Sequence, residues 1–307
     1  MMPSSPAATP VEQLREQAKR LEAALSVGVA TPTPKAVHEL RSSTRRVEAQ
    51  LGLLATVKGL PPFRPAAEKV HRRLEKLRRI AGKVRDCDVQ TRFLKDKDHV
   101  ISSAVEAPSD LTRTQNKLRR SIAKDRRRNQ RKLVATVEQQ LPRLARDTEA
   151  LLAALKPAKE SRVSVDALLA AIEQRIERLL HSREQGEEHL HEIRKAAKRA
   201  RYQCEAMPGP QAAAMARRLE DLQDAGGAWH DLLDLATVCH TRLGADHPFS
   251  RLLEHLRDER LDIYLANLED FRSKHLHRPS AAAKRKPPQR AIAATDAKGR
   301  RAARTIR

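Results

Sequence analysis

The sequence predicts an all-α protein built from two pseudo-symmetric helical bundles, followed by a disordered basic tail. Residues that favour helices, mainly Ala, Leu, Glu, Gln, Lys and Arg, occur in long runs along the 307-residue chain. Aromatic residues make up only 2%, and no segment alternates between apolar and polar residues as a β-strand would. A basic motif headed by a histidine also occurs twice, far apart in the chain, which indicates a duplicated unit.

The first bundle is predicted to span residues 11–155, after a disordered segment at residues 1–10. Thr33 and Pro34 form a helix start signal, with Thr33 as the N-cap and Pro34 at the first helical position. The predicted helices are residues 11–26, the stretch from 34 to the proline-rich segment 59–65, residues 66–82, a stretch from Asp86 to 101, and residues 111–140 with a kink or break at Pro142.

The second bundle is predicted to span residues 160–275. The polar, proline-containing segment at residues 155–164 is the best candidate for the boundary between the bundles. The predicted helices of this half are residues 165–183, 186–207, 211–226, 229–243 and 248–275. Residues 276–307 are rich in Ala, Pro, Lys and Arg without apolar periodicity, and are therefore expected to be a disordered basic tail.

The net charge of +22, from 61 basic against 39 acidic residues, indicates a polyanionic partner. Nucleic acid, an anionic membrane surface and inorganic phosphate polymers all carry suitable charge. No apolar run approaches 18 residues and no secretory signal is evident, so we expect no membrane partner. Three widely spaced cysteines fit a reducing compartment, and we expect the protein to be cytoplasmic.

The repeated motif arranges cations along one face of a helix. Residues three, four and seven apart share a helical face, so the motif residues form two stripes of positive charge. The first stripe contains His38, Arg41 and Arg45. The second contains His191, Arg194, Lys195 and Lys198, together with Tyr202, which we expect to serve packing. Like charges on one face repel, so each stripe costs stability unless an anion lies against it. Such a row of cations suits an extended string of phosphates.

A second short motif carries an aspartate in each half. These are "KVRDCDV" at residues 83–89 and "AWHDLLDL" at residues 228–235. Asp86 beside Arg85, and Asp231 beside His230, can each hold a neighbouring cation in orientation by accepting hydrogen bonds. Both aspartates are equally consistent with simple helix caps.

Four motifs in the same order resemble the CHAD family, the conserved histidine α-helical domains. They are the H-x-L-R motif at His38, "VRDCDV", "LHEIRKAAKRARYQCE" and "LQDAGGAWHDL", and the resemblance covers residues 11–275. It implies one CHAD domain of two helical bundles with a basic central surface that binds inorganic polyphosphate and associates with polyphosphate granules. The binding residues that it implies are His38, Arg41, Arg45, Arg85, His191, Arg194, Lys195, Lys198, Arg201 and His230.

The chain departs from the family pattern in two places. Ser42 stands where the first stripe has room for another basic residue, and "DAGGAWHD" places paired glycines and Trp229 where similar members have a leucine–glycine segment. Many relatives also carry a triphosphate-tunnel domain that opens with an E-x-E-x-K strand. That pattern does not occur here, so the chain resembles a stand-alone member.

A further run of basic residues, "KDRRRNQRK" at 124–132, surrounds its helix, so part of it must face solvent. Arg120 and Lys124 are candidates to extend the basic surface of the first half. The twelve histidines show no metal-ligand spacing, so no metal site and no cofactor are predicted.

Three functional hypotheses follow. The first is a non-catalytic polyphosphate-binding protein, since there is no Walker loop, no paired carboxylates at metal spacing and no nucleophile beside a base. The second is a nonspecific nucleic-acid-binding protein that uses the basic tail, although few aromatic side chains are present to stack on single strands. The third is an enzyme in which His38 or His191 carries a phosphoryl group.

Overall fold

The structure is a computed structural model that describes residues 9–57, 59–95, 109–158, 164–182 and 186–275. Within these ranges the chain forms eight α-helices and one 3-10 turn, at Lys156–Ala158, and no strand. The helices are α1 Pro10–Ala30, α2 Pro34–Leu54, α3 Arg64–Phe93, α4 Ser109–Ala154, α5 Val165–Leu180, α6 Glu187–Glu205, α7 Pro210–Leu243 and α8 Pro248–His275. The predicted disorder of residues 1–8 and 276–307 lies outside the described residues.

The first two helices begin at side-chain caps. Thr9 and Glu12 form a capping box at the start of α1, with the Thr9 amide donating to the Glu12 carboxylate at 2.8 Å. The predicted cap of α2 is confirmed, because the Thr33 hydroxyl accepts a hydrogen bond from the Ala36 amide at 3.2 Å. Helix α1 continues past Gly28, where the sequence predicted its end, because Gly28 packs closely against Leu40.

Two predicted helix breaks at glycine are wrong. Helix α3 runs unbroken through Gly82, and α7 runs unbroken through Gly226 and Gly227. A glycine in a helix costs only about 1 kcal/mol relative to alanine, which is less than the packing of these long helices supplies. The part of the predicted stretch to residue 101 that follows Lys95 lies outside the described residues.

The predicted break at Pro142 is also wrong, because α4 is a continuous helix of 46 residues. Proline removes one intrahelical hydrogen bond and leaves a carbonyl one turn earlier without its partner. Pro142 lies on the solvent side of α4, where water can hydrogen-bond that carbonyl, while Leu144 and Leu151 on the other side are buried.

The eight helices form two similar four-helix units that contact each other through their second and third helices. Helices α1–α4 enclose one apolar core, which includes Leu40, Leu74 and Leu133. Helices α5–α8 enclose a second core around Trp229 and Tyr264. Between the units, α2 packs against α6 and α3 packs against α7. This arrangement confirms the all-α, pseudo-symmetric fold and places the two histidine-bearing helices side by side.

A third apolar cluster joins the two units. Cys87 of α3, Leu94 directly after that helix and Ile122 of α4 pack with Leu232 of α7 and Phe249 of α8. All five side chains are buried. The two units therefore share part of their core, which holds the interface between them in a defined geometry.

None of the described helices combines the length and the apolar character needed to cross a membrane.

Candidate functional site: a cationic cavity between the two units

A cavity of about 600 Å³ lies where α2 and α3 face α6 and α7. We call it the central cavity. The residues that line it and carry the argument below are His38, Arg41, Ser42, Arg45, Arg85, Asp86, His191, Arg194, Lys195, Lys198, Tyr202, His230, Asp231 and Asp234. The two histidine stripes, which are 153 positions apart at His38 and His191, therefore face one shared space.

The two central arginines are each held by a contact and lie beside a helical glycine. The guanidinium of Arg41 donates from Nη1 to the carbonyl oxygen of Arg78 at 3.3 Å. Gly82 of α3 makes room for it, because a β-carbon there would lie 2.5 Å from Nη1. In the second unit, Nη2 of Arg194 lies 3.3 Å from Nδ1 of His191. Gly226 of α7 makes room mainly for the ring of Tyr264, 2.8 Å from where a β-carbon would lie, and then for Cγ of Arg194, at 3.3 Å.

His38 and His191 are partly buried among cations, and both conditions favour their neutral forms. His191 and His230 have their ring centroids 4.5 Å apart. Partial burial, together with Arg194 and His230, lowers the pKa of His191 to about 4. Burial and the nearby charges of Arg85 and Lys198 also lower the pKa of His38. A bound polyanion would oppose these effects and favour the charged imidazolium.

Lys198 is the most strongly perturbed lysine of the cavity. Desolvation, followed by repulsion from Arg45, Arg194 and Arg41, lowers its pKa to about 7. Arg45, one turn beyond Arg41, has its pKa lowered to about 10 by desolvation and by Arg41, and stays charged at neutral pH. The cations of the cavity therefore repel one another, and a bound anion would offset this repulsion.

Carboxylates lie within this cationic space. Desolvation raises the pKa of Asp86 to about 6 against the opposing influence of Arg41, and it raises the pKa of Asp231 against that of Arg194. The alternative in which Asp86 and Asp231 merely cap helices is wrong, since both lie in the interiors of helices, α3 and α7. The carboxylate of Asp234 lies 3.1 Å from Nδ1 of His230. Asp234 thus orients His230, while Asp86 and Asp231 partly balance the charge of Arg41 and Arg194.

The structure brings together nine of the twelve predicted site residues. His38, Arg41, Arg45 and Arg85 reach the central cavity from the first unit, and His191, Arg194, Lys195, Lys198 and His230 reach it from the second. Lys195 is exposed at the rim, and its ammonium is paired with Glu192.

Three predicted residues do not line the cavity. Arg201 pairs with Glu220 at 2.7 Å and with Glu205 at 3.2 Å, so acids already neutralise it. Arg120 and Lys124 are exposed on the surface of α4 and do not reach the cavity. The basic run of α4 winds around its helix, and composition alone could not reveal which of its residues face the interface.

Sequence reasoning missed Asp234 and underrated Tyr202. Asp234 lies one helical turn after His230, and this i, i+4 spacing was a usable signal. Tyr202 was predicted to serve packing, and it is indeed buried, but one side of it also closes an end of the cavity. Its ring lies 5.0 Å from the guanidinium carbon of Arg201 and 6.0 Å from that of Arg46.

The arrangement is suited to holding an anion of several negative charges. Guanidinium, ammonium and imidazole donors converge on the cavity from four helices, and they are preorganised by glycines and carboxylates. Among the residues that the structure describes, no group of three or more His, Cys, Asp or Glu side chains is arranged to hold a metal ion.

Fold and cavity together define a helical protein of two fused bundles with a cationic site at their interface. The CHAD domain matches residues 12–240, more than half of the chain, and the protein belongs to the CHAD family. No curated protein sequence matches it.

Two solved structures share the fold. PptA from Streptomyces chartreusis is 16% identical with a TM-score of 0.60, and the match covers 87% of this chain and 98% of that one. The CHAD domain from the plant Ricinus communis is 19% identical with a TM-score of 0.59, covering 89% of this chain and 94% of that one. At these identities the likeness concerns the fold.

Proposed function

We propose that the protein binds inorganic polyphosphate in the central cavity and does so without catalysis. The observation that carries the proposal is the convergence of the two histidine stripes, from separate units, on one space. Polyphosphate binding is known for some members of the family. A linear chain of phosphates matches a row of guanidinium and ammonium groups better than a single small anion does, because it contacts several of them at once.

Binding energy would come from two sources. The first is the set of charge-assisted hydrogen bonds from Arg41, Arg45 and Arg194, of which Arg41 and Arg194 are already held by contacts within the protein. The second is relief of the repulsion between cations, which together with the larger effect of desolvation lowers the pKa of Lys198 and His191.

The test is a titration of long-chain polyphosphate by calorimetry into the full chain and two charge-matched variants. Arg194→Glu/Lys198→Glu reverses two charges inside the cavity, and we expect at least a hundredfold loss of affinity, because each reversed contact costs about 2 kcal/mol or more. Arg143→Glu/Arg146→Glu is the control. It changes the net charge equally, at exposed positions of α4 that do not line the cavity.

Equal losses in the two variants would show that only the overall charge matters, and the assigned site would be wrong. Incubation of the protein with polyphosphate followed by measurement of released orthophosphate and of acid-labile phosphohistidine tests the absence of catalysis. Release that exceeds the control and disappears in His191→Ala would contradict it.

The basic tail favours a second candidate function, contact with nucleic acid, through its ten Lys and Arg residues between Arg278 and Arg307. Deletion of residues 278–307 separates the two functions. Polyphosphate affinity in the cavity should survive the deletion, whereas affinity for duplex DNA should fall. We also propose a cytoplasmic location at polyphosphate granules, which fluorescence imaging of the tagged protein tests against the Arg194→Glu/Lys198→Glu variant.

A further inference from the structure

A second groove continues from one end of the central cavity. It lies between α3 on one side and α7 and α8 on the other, and has a volume of about 380 Å³. Arg85, Ala228 and Asp231 line both the cavity and this groove, which we call the side groove. A ligand longer than the central cavity can therefore pass Arg85 without leaving the protein surface.

The side groove carries two further arginines. Arg92 lies seven residues after Arg85 on α3, which places it on the same helical face about 10 Å further along the axis. Arg260 reaches the groove from α8, on the opposite wall. Both are exposed, and within the described ranges neither has a carboxylate partner within ion-pair distance. The row of cations that begins in the cavity thus continues beyond it.

The surroundings of the groove strengthen the attraction of these two arginines for an anion. Its floor is apolar, formed by Val89, Leu232 and Leu256. A guanidinium is weakly hydrated and lies readily over apolar surface, and a wall of low dielectric constant strengthens its attraction for an anion.

The other end of the central cavity, at Tyr202, adjoins a pocket of about 390 Å³. The charged groups there are already paired: Arg20 with Glu16 at 3.1 Å, Arg46 with Glu39 at 3.0 Å, and Glu205 with Arg201 at 3.2 Å. A polyanion that left the cavity at this end would therefore meet arginines that acids already neutralise.

We infer that a polyphosphate chain leaves the central cavity past Arg85 and follows the side groove, where Arg92 and Arg260 form a second phosphate subsite. This inference rests on the proposed function, and it deepens it by giving the bound chain a direction. It also makes the protein selective for length, because only a chain that fills the cavity and extends beyond it reaches Arg92 and Arg260.

The experiment compares two probes, tripolyphosphate and long-chain polyphosphate, on the full chain. Arg92→Glu/Arg260→Glu should bind the long chain roughly tenfold more weakly, since each exposed contact contributes less than about 1 kcal/mol and is here reversed. Its affinity for tripolyphosphate should match that of the control Arg143→Glu/Arg146→Glu, which carries the same net charge. The loss should shrink at high salt, because both arginines are exposed to solvent.

The other outcomes overturn the inference in distinguishable ways. Equal losses for both probes would mean that the side groove acts only through its general field. No loss for either probe, with Arg194→Glu/Lys198→Glu still defective, would remove the side groove and leave the cavity in place. Failure of the unmodified protein to bind either probe would remove the proposed function and this inference with it. Circular dichroism of each variant confirms that the helices are retained.

Discussion

The two halves of the central cavity share a framework and differ in the groups that titrate. Each half presents an arginine from its second helix close to an aspartate of its third helix. The pairs are Arg41 with Asp86 in the first half and Arg194 with Asp231 in the second. The duplication has thus kept an arginine beside an aspartate in each half.

The differences lie at the positions around this framework. In the third helix, Arg85 of the first half corresponds to His230 of the second. One turn later the first half has an apolar residue, Val89, while the second has Asp234 bonded to His230. The first half therefore has arginines, Arg45 and Arg85, where the second has Lys198 and His230, so its positive charge is the more permanent. Four predictions test this contrast, in order of decreasing effect.

The largest effect is expected at the glycines. Gly226→Ala should lower the free energy of unfolding by about 1–3 kcal/mol, because its β-carbon would lie 2.8 Å from the ring of Tyr264. That ring cannot yield, since it is fully buried, stacks on Trp229 and donates from its hydroxyl to the carbonyl of Leu190. Urea denaturation measures the change.

Gly82→Ala should behave differently. Its β-carbon would contact only the guanidinium end of the Arg41 side chain, so the free energy of unfolding should stay the same. Displacement of that guanidinium should weaken polyphosphate binding. Calorimetric titration alongside urea denaturation separates the two outcomes. A similar loss of stability in both variants would contradict this difference between Gly226 and Gly82.

The second prediction concerns pH. Since the pKa of Lys198 in the empty cavity is about 7, and a polyanion favours its charged form, polyphosphate affinity should fall as the pH rises above 7. The limit for one linked proton is about tenfold per pH unit. Lys198→Arg should flatten the profile, because arginine stays charged.

The matched change in the first half is Arg45→Lys, at the position corresponding to Lys198. It should steepen the same profile by adding a second group that titrates. Affinity that is independent of pH in the unmodified protein would contradict this account of Lys198.

The third prediction concerns stability without ligand. The pKa of Asp86 is about 6 in the folded protein against 3.8 for an ordinary aspartate, so its neutral form is favoured by folding. That contribution is fully present below pH 3.8 and is lost as the pH rises through 6. Asp86→Asn should therefore be more stable than the unmodified protein above pH 6, by a margin that shrinks in acid.

Urea denaturation across this pH range measures that margin. The histidines titrate in both proteins, so their effect cancels in the difference. Asp231→Asn should show the same sign, since the pKa of Asp231 is raised as well. A margin that grows as the pH falls would contradict the assignment for either aspartate.

The smallest effect is expected for Lys195→Ser, which gives the second stripe the residue that the first stripe has at Ser42. Lys195 is exposed and already paired with Glu192, so polyphosphate affinity should fall by less than about fivefold, corresponding to less than 1 kcal/mol. A loss as large as that of Lys198→Ser, measured by the same titration, would mean that the ligand lies nearer the rim than the cavity geometry indicates.

Local patterns in the sequence predicted most of the fold. The helix start signal at Thr33 and Pro34 and the duplicated motif were both readable, and the structure confirms them. The errors fell at Gly82, Gly226 and Pro142, where local propensity favoured a break. At each of these residues, the stabilisation from packing along one helical face is larger than the free energy that a glycine or a proline costs in a helix.

The cavity was only partly readable. Spacing along one helix showed which residues share a face, and so it identified both stripes. It could not show that Arg201 turns toward Glu205 and Glu220, or that Arg120 and Lys124 point away from the interface. It also left the roles of Asp86 and Asp231 undecided, because an aspartate beside a cation looks the same in a cap and in a helix interior.

By itself the sequence determined that this chain is helical, duplicated and strongly basic, since these properties follow from composition and from the 3.6-residue period of a helix. Only the tertiary structure decided that the two stripes face one shared cavity that carboxylates also line, and that further arginines, Arg92 and Arg260, lie in the groove beside it. The physical reason is that charges interact according to their distance and burial in space, and folding alone sets both for residues 150 positions apart.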